Sequence, residues 1–233
     1  MEKQKDEIIV LDIETAPIKF AEQYVTPKPA PDHYKKPEVI EAWNRSAKRK
    51  ALDVAALDPD LCRIVALGTM DVSTGLVTAQ IAKDANTEKE LLRSFWQRLT
   101  RNATLLGYNV IQFDLPVMLR RSMYLQVDAP HLDLHKYRRS ERVVDLMLDL
   151  SFSGSISYRS LGWYARRFDL PSHQSEASVD GAMIPSLVGD GDWEAVVRHV
   201  QDDVVMTAEL AQRLDVIPQQ RIRRDDVQNC LTC

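Results

Sequence analysis

Apolar and polar positions alternate most clearly at the start of the chain. In "EIIVLDIET", residues 7–15, Ile9, Leu11 and Ile13 share one parity, Ile8 and Val10 share the other, and this second parity continues into Asp12 and Glu14. Successive side chains of a strand point to opposite faces, so the pattern predicts a mostly buried strand that ends in two acids side by side. Burying two like charges costs several kcal/mol unless cations or hydrogen bonds compensate them. The acidic face therefore calls for a positive partner.

The same reasoning parses the rest of the chain. Five of the 11 prolines fall between Pro17 and Pro37, which excludes regular structure through residues 27–37. A helix opening near Pro37 and running through Trp43 toward Lys50 follows, so residues from about 17 to 57 read as an insertion beside the first strand. "LCRIVALGTM" and "LVTAQIA" predict a hairpin turning near Ser73 to Gly75. "TEKELLRSFWQRL" predicts an amphipathic helix, with Thr87 and Glu90 at capping-box spacing and Leu91, Leu92, Phe95, Trp96 and Leu99 on its apolar stripe. "ATLLGYN" reads as a buried strand, followed by a helix near Leu115 and Pro116. "RVVDLMLDL" fits a strand or a helix, and "RSLGWYARRFDLP" fits a helix stopped by Pro171. The last long helix is expected from Asp192 to about Leu214, packing through Val196, Val200, Val204 and Leu210; residues 215–233 read as a polar tail. Strands first, then strands mixed with helices, predict an α/β domain over residues 1–214.

Composition narrows the class. With 233 residues, 45% hydrophobic and 27% charged, the chain has the makeup of one soluble globular domain, and no apolar run is long enough to span a bilayer. Three cysteines and a start without a signal-peptide pattern predict a reducing, cytoplasmic setting. "CLTC" near the end has CxxC spacing, but an isolated pair is a poor zinc signal. The net charge of −4 gives no global pull on nucleic acid, yet it averages over basic clusters such as "HKYRRSER" from His135 to Arg142, a candidate backbone-tracking patch.

Three motifs carry candidate chemistry. Asp12 and Glu14, two apart in a strand, project from one face about 6 to 7 Å apart, near enough to share a hard cation. Asp114 in "NVIQFDLPVMLRR" stands where a strand gives way to a helix; it is a natural N-cap and also positioned to face the cleft beyond the strand ends. His199 and Asp203 in "HVQDDVVMTAEL" are four apart and lie one above the other on a helix. Asp202 is the rival acid, but Asp203 is the one flanked by Val200, Val204 and Thr207 at helical spacing.

In this order, "LDIET", "NVIQFD" and "HVQDDVVMT", the motifs resemble those of the DEDD, or DnaQ-like, superfamily of 3′-to-5′ exonucleases, and "FDLPVMLRR" with "DDVVMTAEL" look most like exonuclease domains related to those of family-B DNA polymerases. The resemblance runs from about Ile8 to Leu214. It implies a ribonuclease H-like fold with a mixed five-stranded sheet flanked by helices. It makes Asp12, Glu14, Asp114 and Asp203 the metal-binding acids and His199 the residue that handles the attacking water. It places Thr15, Asn109 and Phe113 against the terminal nucleotide. His199 departs from the pattern, because it combines the four-residue interval of the tyrosine branch with the histidine of the other. Four carboxylates without cysteine or clustered histidine suit two Mg²⁺ or Mn²⁺ ions. The implied substrates are 3′ ends of single-stranded DNA, with RNA as the alternative, and the implied partner is a polymerase or repair protein in trans. A module that binds nucleic acid or a polymerase without cutting stays open.

Overall fold

The computed structural model describes residues 7–100, 102–135, 140, 142–174 and 181–231. Six strands, β1 (Ile8–Pro17), β2 (Cys62–Asp71), β3 (Leu76–Ile81), β4 (Thr104–Gly107), β5 (Val143–Asp145) and β6 (Arg223–Arg224), form one mixed sheet in the order β5-β4-β1-β2-β3-β6. The five strands implied by the resemblance are joined by a sixth, two residues long, from the segment read as a polar tail. Among the described residues, only β1–β2 and β2–β3 pair antiparallel.

The helices among the described residues are α1 (Pro37–Asp53), α2 (Ala85–Arg98), α3 (Asp114–Leu125), α4 (Leu146–Leu150), α5 (Leu161–Phe168), α6 (Ile184–Asp190), α7 (Trp193–Arg213) and α8 (Val227–Leu231). None is long and apolar enough to cross a membrane.

The parity of β1 sorts the two layers. Ile9, Leu11 and Ile13 enter the core shared with Leu92 and Phe95 of α2 and Leu115 and Met118 of α3. On the opposite face Val10 meets Leu106, Val204 and Leu210. Val196, Val200, Val204 and Leu210 of α7, the expected packing stripe, are all fully buried, each stabilising the fold by about 1.5 to 3 kcal/mol. Helix α7 lies across β1, β2 and β3. Asp192 fixes its start by accepting a hydrogen bond from the backbone N–H of Ala195 at 3.1 Å.

Two local expectations are corrected. The capping box of α2 starts at Asp84, whose carboxylate accepts from Asn86 and Thr87 N–H at 3.0 and 2.9 Å while Thr87 Oγ1 accepts from Asp84 N–H. Thr87 is thus the third residue of the turn and not its cap, because aspartate on an extended backbone reaches two free N–H groups where Thr87 would reach one. "RVVDLMLDL" is both a strand and a helix, β5 passing into α4 at Asp145.

Helix α1 lies where the pattern placed it, but is exposed along nearly its whole length. It leaves a groove of about 470 Å³ against the preceding loop, lined by Thr26, Lys28, Trp43, Ala47, Lys50 and Val54, away from the paired acids of β1. The segment after Leu214 is polar yet packed: Ile217 and Cys230 are buried, and α8 rests on α7 and β3.

Candidate active site

The acidic end of β1 is shaped by a bulge. Glu14 pairs with Ala66 and Thr15 with Ile64, so Val65 is skipped and the strand twists sharply just after the two acids. Directly opposite Asp12 stands Gly68. A Cβ there would come within 2.8 Å of Val204 Cγ2 and 2.9 Å of Val200 O. The missing side chain lets α7 approach closely enough for its polar turn to reach β1.

That turn carries His199 and Asp203. His199 is 7% exposed, and its Nδ1 lies 2.7 Å from Glu14 Oε1 and 3.9 Å from Asp203 Oδ2. The short contact is not a well-aimed hydrogen bond, and among the described residues Nδ1 has no partner that meets hydrogen-bond geometry. The far edge of the ring, Cε1 and Nε2, faces Gly181. Asp202, the rival acid, turns away to an ion pair with Arg224 of β6.

Asp114 reaches the same place from the other layer. It is buried as the first residue of α3, and it does not cap the helix: its Oδ1 accepts from the backbone N–H of Ile13, between the two acids of β1, at 3.1 Å. The competition between capping and cleft is therefore won by the strand, whose Ile13 N–H needs an acceptor in the interior.

The proton affinities record this crowding. Burial, then the charges of Asp114, Asp203 and Glu14, hold the Asp12 carboxyl well above its ordinary value. Burial raises Asp114 to about 7 against the lowering effect of its hydrogen bonds, and burial raises Asp203 to about 6 although His199 pulls it down. Burial disfavours charge on His199 too, but the contact with Glu14 and the charges of Glu14, Asp203 and Asp202 outweigh it and lift the ring to about 9. Acids this close share protons when no cation compensates them.

A buried nitrogen that touches acid oxygens without an aimed hydrogen bond fits a divalent cation. Glu14, His199 and Asp203 offer ligand atoms within 4.8 Å of one another. Asp12 and Asp114 extend the oxygen-rich surface: the charge of Glu14 raises the proton affinity of both, and that of Asp114 raises Asp12.

The other expected contacts are placed as follows. Thr15 is buried and its Oγ1 donates to Ala56 O at 2.6 Å, which ties β1 to the insertion. Asn109 sits in left-handed backbone at φ 66° at the end of β4, and its Oδ1 accepts from Gln112 Nε2 at 3.2 Å. Phe113 is half-buried against the β1–α2–α3 core. Of "HKYRRSER", Lys136 to Arg139 and Glu141 lie outside the described residues, as does Cys233 of "CLTC"; Cys230 is buried against α7.

Two further residues support the site, and the sequence reading missed one of them, Gly68. Asp145 takes four backbone N–H groups, from Asn109, Ile111, Met147 and Leu148 at 3.0 to 3.3 Å, and so fixes the loop that leads to Asp114. Gly68, in the middle of an apolar run, was the only linear sign of the close helix approach.

Residues 56–232 match the family described as a predicted 3′-5′ exonuclease related to the exonuclease domain of PolB. No curated protein matches the chain. Among solved structures, the family B DNA polymerase from the hyperthermophilic archaeon Pyrobaculum calidifontis is similar over 89% of the chain, with a TM-score of 0.56 and 18% identity. The chain spans about a quarter of that polymerase, 24% of its length. Exonuclease domains of this kind generally use divalent metals.

Proposed function

The chain belongs to the family of predicted 3′-5′ exonucleases related to the exonuclease domain of PolB, and from that premise we propose that it hydrolyses phosphodiester bonds at the 3′ end of single-stranded DNA. Asp12, Glu14, Asp114 and Asp203 hold two Mg²⁺ or Mn²⁺ ions in this reading. When bound, such a pair activates a water on one side of the phosphodiester and stabilises the leaving oxygen on the other. The chain's own part is to fix the acids: β1 presents two, the Ile13 N–H anchors Asp114, and α7 delivers Asp203 through the gap at Gly68. Thr15 presents its backbone to the terminal nucleotide, with Asn109 and Phe113 on the strand-end side.

The single observation that carries the reading is electrostatic. Burial, and then the charges of Asp114 from α3, Asp203 from α7 and Glu14 from β1, far apart in sequence, hold the proton affinity of Asp12 well above its ordinary value. A merely structural cluster would carry a permanent cost that nothing in the fold offsets.

Digestion of 5′-labelled and 3′-labelled single strands of DNA and RNA in Mn²⁺ tests it. Mononucleotides released from the 3′ end, faster on DNA, with loss of activity in Asp12→Ala and on chelation, are the expected result. Undiminished cutting by Asp12→Ala, or binding without turnover, overturns it.

A further inference from the structure

We propose that His199 is itself a metal ligand: Nδ1 joins Glu14 Oε1 and Asp203 Oδ2 in one nitrogen-and-two-oxygen site that favours Mn²⁺ over Mg²⁺. The inference rests on the exonuclease reading for the presence of an ion, and replaces the expectation that His199 handles the attacking water.

Geometry carries it. The imidazole is 93% buried by the complement of its 7% exposure, with Nδ1 turned inward to the two oxygens at 2.7 and 3.9 Å. Ligand atoms of an octahedral shell with bonds near 2.1 Å stand about 3 Å apart when adjacent and about 4.2 Å apart when opposite. The two separations from Nδ1 need only a few tenths of an ångström of adjustment, and the two acids offer oxygens within 4.8 Å of each other.

Among the described residues the nitrogen also lacks a well-aimed hydrogen bond. Nδ1 makes no properly aimed hydrogen bond although it touches a carboxylate, which is costly for a buried polar atom unless something else uses its lone pair. Gly181 borders the opposite ring edge, and a methyl group there would sit 3.9 Å from both Cε1 and Nε2. His199 and Asp203, four apart on α7, stand one above the other, the spacing that lets helices hold a metal through two side chains.

The donor set then decides the ion. Carboxylate oxygens serve Mg²⁺ and Mn²⁺ alike, but Mg²⁺ is a hard ion held through oxygen, whereas an imidazole nitrogen suits transition metals. Replacing one oxygen by a nitrogen tilts the site toward Mn²⁺.

The test uses Mn²⁺ alone as the probe, in the whole chain stripped with chelator. Spin-echo EPR of bound Mn²⁺ should show coupling to a coordinated imidazole nitrogen. That coupling should change on ¹⁵N-histidine labelling and vanish in His199→Gln. In binding titrations, His199→Gln should lose Mn²⁺ affinity by at least the roughly 10- to 100-fold that removing even an outer partner of a ligand costs, with a smaller loss for Mg²⁺. Bound Mn²⁺ without histidine coupling in the wild-type protein, or equal losses for both ions, overturns the inference and leaves the exonuclease reading standing. No Mn²⁺ binding together with no digestion overturns both. The labelled wild-type spectrum decides even if His199→Gln fails to fold.

Discussion

Gly68 shows how a site can depend on an atom that is missing. Any Cβ at this position presses on the Val200 carbonyl, part of a helix backbone that cannot turn aside as a side chain would. Gly68→Ala should cost about 1 to 3 kcal/mol, as overpacking does, and should push Asp203 away from β1, lowering activity more than the lost stability explains. Gly189→Ala, with no atom within 4 Å of the added methyl, should be neutral or stabilising by up to about 1 kcal/mol in its helix. Thermal melts and digestion rates of the two variants check this pair; equal behaviour would contradict it. At the same scale, linear patterns revealed some residues and concealed others. The parity that set Asp12 and Glu14 apart from Ile9 and Leu11, and the interval that joined His199 to Asp203, are local periodicities that a sequence displays directly. The bond between Asp114 and Ile13 spans 101 residues, and the fit at Gly68 spans more than 130, so no neighbour in the sequence announces either.

Among whole elements, α2 and α3 are joined by a buried ion pair that periodicity treats as ordinary surface charge. Glu88 is fully buried; its carboxylate accepts from Arg121 Nε and Nη2 at 2.7 and 2.8 Å and from the Ile64 backbone N–H of β2 at 2.9 Å. Removing one partner strands the other, so Glu88→Ala should destabilise by about 3 to 5 kcal/mol, whereas replacing Glu88 and Arg121 together by methionine should cost less, about 1 to 3 kcal/mol, because only the Ile64 N–H is then left without an acceptor. Denaturant midpoints of the single and double variants measure the difference, and a double variant as unstable as the single one would refute it. Most element types were legible because their stripes are long: β1, the β2–β3 hairpin, α2 and α7 each present an unbroken period. The exceptions are short. β5 and α4 meet inside nine residues at Asp145, and β6 has only two residues, too few for any period to register.

For the molecule as a whole, the acid cluster sets how stability responds to pH in metal-stripped protein. The folded state holds extra protons on Asp12, Asp114 and Asp203, which titrate late, up to about 7 for Asp114, and on His199 up to about 9. Between the ordinary carboxylate value of 3.8 and about 9, folded protein therefore binds more protons than unfolded protein, and stability falls as pH rises through that window. In chelator, the melting temperature should drop steadily from pH 5 to pH 9. Mn²⁺ should flatten the decline by compensating the same charges. A melting temperature in chelator that climbs over this range would contradict the crowding of the acids.

The segment from residue 215 on also serves the whole sheet. By laying Arg223 and Arg224 along Leu76 and Val77, it occupies the open margin of β3 with two cations. An uncovered margin there would offer free amides and carbonyls as a template for another polypeptide. The short strand whose Arg224 draws Asp202 into an ion pair is thus also what discourages one copy of the chain from growing onto the next.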